Sequence, residues 1–111
     1  MRPSILKAYG TWRKVWFAMV DEDRVRQLGR LFGQAGRAHH AEFGGPNPGW
    51  PEWYAAHVHP DISEHLGHEP TVQQVADWLR EADERHRVEA PDQPWPRFYA
   101  RLFLESHSHD R

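Results

Sequence analysis

The chain contains no cysteine, which excludes disulfides, thiolate zinc sites, iron–sulfur clusters and a cysteine nucleophile at once. It also lacks any long apolar run. The longest, Val15 to Val20, falls far short of a membrane span. Met1-Arg2-Pro3-Ser4 opens no signal-peptide core with a small-residue cleavage site. Strong charge of one sign is missing as well: the formal charge is −2 and the pI about 6.5. That balance argues against a nucleic acid or an anionic membrane held by a general field. Nine histidines qualify the point, because the charge swings positive as pH falls through roughly 6.5. There is no glycine-rich phosphate loop after a strand, no Gly-x-Ser-x-Gly and no His-Glu-x-x-His. These absences leave a soluble, cytoplasmic protein without nucleic-acid or membrane partners as the expectation.

What is present is a repeat. Trp50-Pro51-Glu52-Trp53-Tyr54-Ala55 returns forty-five residues later as Trp95-Pro96-Arg97-Phe98-Tyr99-Ala100. Upstream, Val25, Leu28, Phe32, Ala35, His39 and Glu42 match Val72, Val75, Leu79, Ala82, His86 and Glu89 at an offset of forty-seven. A repeated apolar pattern means a repeated structural unit, here two pseudo-equivalent helical hairpins. With 111 residues there is room for one domain. Aromatic content of 13%, including six tryptophans, predicts a core built around rings. A mean hydropathy of −0.87 predicts a well-solvated exterior.

The expected fold is all-α, with about five helices and two pseudo-symmetric helix–loop–helix units forming one bundle. Ile5, Tyr9, Trp12, Trp16 and Met19 recur at helical spacing and predict an N-terminal helix over 4–19. Unit one spans 21–58, with Asp21 as N-cap, Gly44-Gly45-Pro46 as stop and Pro51 opening a short helix. A linker over 59–67 follows, holding one helical turn from Asp61 to Glu64 that Gly67 stops. Unit two spans 68–105 and is opened by a Thr71/Gln74 capping box. The tail, 106–111, is expected to be unstructured. The rings of Trp53, Tyr54, Phe98 and Tyr99 are expected to be mostly buried against the preceding long helix.

His39 and Glu42 lie one helical turn apart on the apolar face of the first long helix, and His86 and Glu89 repeat the arrangement. At that spacing an imidazole and a carboxylate can meet, or both can reach one ligand. Such a pair is the kernel of general-base catalysis and half of many metal sites. Antiparallel long helices would hold the two pairs on the order of 20–25 Å apart, which disfavours one shared four-ligand site. In the simpler reading each histidine is satisfied in a last helical turn, where a cation suits the dipole. His57 occupies the position held by Leu102 in the second unit, an inward position that demands a hydrogen-bond partner. The candidate catalytic set is therefore His39, Glu42 and His57, with Glu42 orienting His39 and His57 facing the ligand. Candidate ligand-binding residues are Trp50, Trp53, Tyr54, His86, Glu89, Trp95 and Tyr99. No cofactor is identified. A divalent metal stays open but not favoured, because His59, Asp61, Glu64 and His65 lie in the expected linker, with His68 just beyond it, rather than on fixed elements.

The stretch from Leu28 to Val58 carries His39-His40, Glu42 and then Trp50-x-x-Trp53-Tyr54-Ala55. It resembles small bacterial helical domains of unknown function that carry a His-His, an acidic residue and a Trp-x-x-Trp-Tyr-Ala signature. The resemblance covers about a third of the chain and implies a helical fold without an established activity. Those domains continue with a tyrosine and an arginine, where this chain has His57 and His59-Pro60. Three functions follow as expectations. The first is a small α-helical binding protein with an aromatic, His/Glu-lined pocket for a small molecule. The second is an acid–base or metal-assisted enzyme using the first-unit cluster. The third is an accessory factor that acts on a protein partner through its surface, with a homodimer as one form.

Overall fold

Apolar side chains recurring every three or four residues wind the chain into helices. A computed structural model describes residues 22–108. Helix α1 spans Glu22–Phe43, α2 Trp50–Leu66, α3 Val72–Glu89 and α4 Trp95–His107, with no strand among the described residues. The expected helix over 4–19, the Asp21 cap and the last three residues of the tail lie outside the described residues. No described helix is long and apolar enough to cross a membrane.

The stripe on α1 is the one the spacing predicts: Val25, Leu28, Phe32, Ala35 and His39 are buried. On α3 the buried residues are Val75, Ala76, Leu79 and Ala82. Its N-terminus carries the expected capping box, Thr71 Oγ1 accepting from the Gln74 amide at 3.0 Å while Gln74 Oε1 accepts from the Thr71 amide at 2.9 Å. Such reciprocal caps satisfy two of the donors every helix start leaves open. Pro51 and Pro96 sit in the first turns of α2 and α4, where a missing N–H costs nothing.

The expected linker over 59–67 is instead helical as far as Leu66, because α2 runs unbroken through Pro60. Val58, Ile62 and Leu66 keep the core stripe going, and Gly67, in the left-handed region at φ 81°, supplies the stop. Likewise Ser106 and His107, expected in the tail, complete α4. His107 stacks on Trp78 at 3.8 Å, and His68 donates from Nε2 to its carbonyl at 2.6 Å.

Helix α1 packs most extensively on α4, and α2 on α3, with lesser contacts between α1 and α2 and between α3 and α4. The two long helices, α1 and α3, do not pack on each other. Each long helix therefore takes its main partner from the other half of the chain. Glu22 fastens the start of α1 to α4 through Arg97 at 2.7 Å and Arg101 at 3.0 Å. Phe32 lies at the centre, edge-on to Phe103 at 5.2 Å and Tyr99 at 6.1 Å, and tilted against Trp95 at 6.4 Å. Of the four rings expected to be mostly buried, only Tyr99 is; Trp53, Tyr54 and Phe98 are half-buried. Phe32 and Phe103 fill the interior instead.

Two half-buried histidines make the fold sensitive to pH. Burial holds His65 on α2 and His107 on α4 below the usual imidazole range, opposed in part by Glu64 and Glu81. A base whose folded pKa is depressed favours the folded state while it is neutral. This contribution is complete above about pH 6.5 and is lost as pH falls below that value. Urea midpoints should thus decline between neutral pH and about pH 5. Glu22 and Glu52, held below 4.5 by their arginine partners, add acid sensitivity only lower down. A midpoint that stays flat until the carboxylates titrate would remove the histidines from this account.

Candidate functional site

The last turns of α1 and the first turn of α2 meet the last turns of α3 and the start of α4 around one cavity of about 740 Å³. Helix α1 contributes Gly36, His39 and His40, and the 44–49 loop contributes Gly45, Pro46, Asn47 and Pro48. Trp50 and Tyr54 come from α2, Asp83 and His86 from α3, and Trp95 and Tyr99 from α4. The rings form a chain of near-perpendicular contacts. Trp50 meets Tyr54 at 5.8 Å and 87°, Tyr54 meets Trp95 at 5.7 Å and 78°, and Trp95 meets Tyr99 at 5.0 Å and 62°. Edge-to-face packing of this kind follows from the quadrupole of each ring, whose positive edge seeks a negative face.

Gly36 is there for a steric reason. A Cβ at this position would stand 2.9 Å from Cζ2 of Trp95, closer than packed atoms allow. The absence of a side chain lets the indole lie against α1, and the Tyr54 hydroxyl sits 3.6 Å from the same point.

The four polar side chains differ in environment. His39 is only 7% exposed, with its ring held among Phe43, Trp53 and Tyr54 at 4.7–5.1 Å. Its Nε2 is buried without a hydrogen-bond partner among the described residues. His86 places Nε2 at 2.6 Å from the Gln93 carbonyl. A carbonyl only accepts, so Nε2 carries a proton and donates. Asp83 accepts the Tyr99 hydroxyl on Oδ1 at 3.1 Å and pairs with Arg87 through Oδ2 at 2.8 Å. Burial, and then the Asp83 carboxylate, push the Tyr99 hydroxyl far above its ordinary range, so it stays protonated and donates. Burial raises Tyr54 too. His40 is exposed at the rim.

Six of the ten residues singled out from the sequence thus share this cavity: His39, Trp50, Tyr54, His86, Trp95 and Tyr99. The other four stand outside its lining. Glu42 is exposed beyond the buried stripe of α1, and Glu89 is exposed and paired with Arg85 at 2.9 Å. Trp53 covers the far side of His39, and His57 stacks flat on Trp53 at 4.9 Å and 13°. His57 is exposed, not inward, because the buried stripe of α2 runs Ala55, Val58, Ile62 and passes it by. His39 and His86, expected on the order of 20–25 Å apart, line the same cavity. That estimate assumed that α1 and α3 pack together, whereas each packs on a short helix of the other half.

Sequence reasoning missed Asp83, His40 and the loop. A signal for Asp83 was available, because it lies forty-seven residues after Gly36 and breaks the repeat at a cavity position. Among the described residues no three histidine, aspartate or glutamate side chains gather closely enough to hold a metal ion. Instead, His59 donates from Nε2 to the Pro70 carbonyl at 2.7 Å, an internal tie between α2 and the start of α3. No known protein family, curated protein or solved structure matches the chain.

Proposed function

We propose that this is a binding protein whose small-molecule ligand occupies the cavity between the ends of α1 and α2 and the faces of α3 and α4. The observation that carries the reading is the convergence of aromatic and imidazole side chains from all four helices on about 740 Å³, a volume typical of ligand pockets. We also infer that the two halves are related units. In support, His39 meets Trp53 and Tyr54 as His86 meets Phe98 and Tyr99. Four repeat-related pairs, Gly36 with Asp83, His39 with His86, Trp50 with Trp95 and Tyr54 with Tyr99, line the cavity together. The acid–base reading finds less support, since Glu42 is exposed and His57 lies on the outer side of Trp53.

Indole N–H resonances provide the test. In a titration with indole, phenol, imidazole and choline, at least one compound should shift Trp50 and Trp95 while leaving Trp78, stacked on His107 and outside the cavity lining, in place. Silence at Trp50 and Trp95 across the whole panel would end the binding reading. His39→Leu separates binding from folding. Removing a buried nitrogen without a partner should leave stability unchanged or raise it by about 1 kcal/mol. The same change should weaken whichever compound binds. A large loss of stability would instead assign His39 to the core alone.

A further inference from the structure

We propose that the ligand is an organic cation, a quaternary or alkylated ammonium group seated among Trp50, Tyr54, Trp95 and Tyr99 with Asp83 as its counter-charge. This rests on the binding reading above and adds the chemistry of the ligand.

Ring geometry supplies the first argument. A flat ligand is best held between parallel faces, as in a slot. Here successive ring planes turn by 87°, 78° and 62°, so the walls face different directions. Walls of that kind suit a compact, rounded group, and their π faces are electron-rich, indole most of all. The second argument is charge. Among the described residues Asp83 is the one carboxylate lining the cavity, and no lysine or arginine lines it. Its partner Arg87 is not part of the lining, and the Arg87 side chain is 69% exposed, so their ion pair is solvated and weak. Tyr99 uses one acceptor site on the carboxylate, and an ionised carboxylate offers about four. The nearest other guanidinium, Arg37, bounds an adjoining recess on the outer side of Trp95.

Asymmetry is the third argument. The repeat alone would place the same residue at 36 and 83. Gly36 is required there by Trp95, whereas Asp83 puts a carboxylate on the opposite side. The loop over 44–49, two residues longer than its counterpart, adds Pro46, Asn47 and Pro48 to the first side only. A carboxylate thereby stands on one side and the proline loop on the other, an asymmetry that suits an unsymmetrical cation such as an ammonium alcohol.

The test compares choline with neopentylcarbinol, its uncharged carbon isostere, by calorimetric and NMR titration at neutral pH. Choline is expected to bind about tenfold more tightly, the cation–π and ionic contribution that the isostere lacks. Asp83→Asn preserves shape and still accepts the Tyr99 hydroxyl proton. It should cost choline about tenfold while leaving neopentylcarbinol unchanged. Trp50→Leu, at the rim of the helix bundle, should likewise weaken choline more than the alcohol. Tighter binding of a trimethyllysine peptide than of choline would keep the cation and assign it to a partner protein's side chain. Equal affinity for choline and neopentylcarbinol would overturn the proposal, as would choline binding that survives both substitutions. If choline does not bind while indole or phenol does, the cation assignment falls and the binding cavity stands. If nothing binds, both fall.

Discussion

Replacing Phe32 by alanine is expected to lower the unfolding free energy by about 3–5 kcal/mol, the usual cost of deleting a buried phenyl ring and leaving its cavity. Phe32 is 0% exposed and touches Trp95, Tyr99 and Phe103, so no neighbour can swing in without losing its own contacts. Urea unfolding reads the loss as a lower midpoint at an unchanged slope. The same substitution should loosen the site, because Trp95 and Tyr99 both rest on this ring and line the cavity. Trp53→Ala should cost less, since that indole is only half-buried and covers His39 from outside. A Phe32→Ala loss below about 1 kcal/mol would mean that the α1–α4 contact is not the centre of the fold.

Pro60→Ala is expected to act in the opposite direction, raising stability by about 2–2.5 kcal/mol. Proline inside a helix removes one backbone donor and crowds the preceding turn, at roughly 3 kcal/mol relative to alanine. About 0.4–1 kcal/mol of that returns through a less flexible unfolded chain. Pro60 is exposed, so alanine creates no cavity. Helix α2 tolerates the proline because Val58, Ile62 and Leu66 are all 0% exposed around it. Each fully buried aliphatic side chain contributes roughly 1.5–3 kcal/mol, which together exceeds the penalty. An unchanged or lower midpoint would show that the proline is accommodated here without cost.

The proline also marks a limit of local reasoning. Residues 59–67 carry a helix breaker, several histidines and a glycine, and by composition they form a linker. Burial of Ile62 and Leu66 decides otherwise, on a helix that packs against α3 across the turn that follows it. His57 teaches the same lesson at finer scale. The repeat placed it opposite Leu102, but Leu102 is itself only half-buried, and the buried positions of both helices are Ala55 with Ala100 and Val58 with Phe103. The repeated spacing was legible; which face of α2 turns inward was not.

The sequence by itself determined the helices, their caps and their apolar stripes, because each depends on residues within a few turns of one another. Val25 to His39 is buried as spaced, and Thr71 with Gln74 caps as written. It also named the four aromatic rings and two of the three histidines that line the cavity, since the repeated Trp-Pro-x-aromatic-Tyr-Ala units mark two helix starts. Only the tertiary structure decided which helices pair. Helices α1 and α4 approach closely at Gly29, where a Cβ would be in ordinary van der Waals contact with the Arg97 Cα at 3.7 Å. With α1 on α4 and α2 on α3, the ends that carry His39 and His86 turn toward one cavity, and Asp83 enters it beside Tyr99. Helix formation is local and periodic, whereas helix pairing depends on the shapes of surfaces that meet only when the chain has folded.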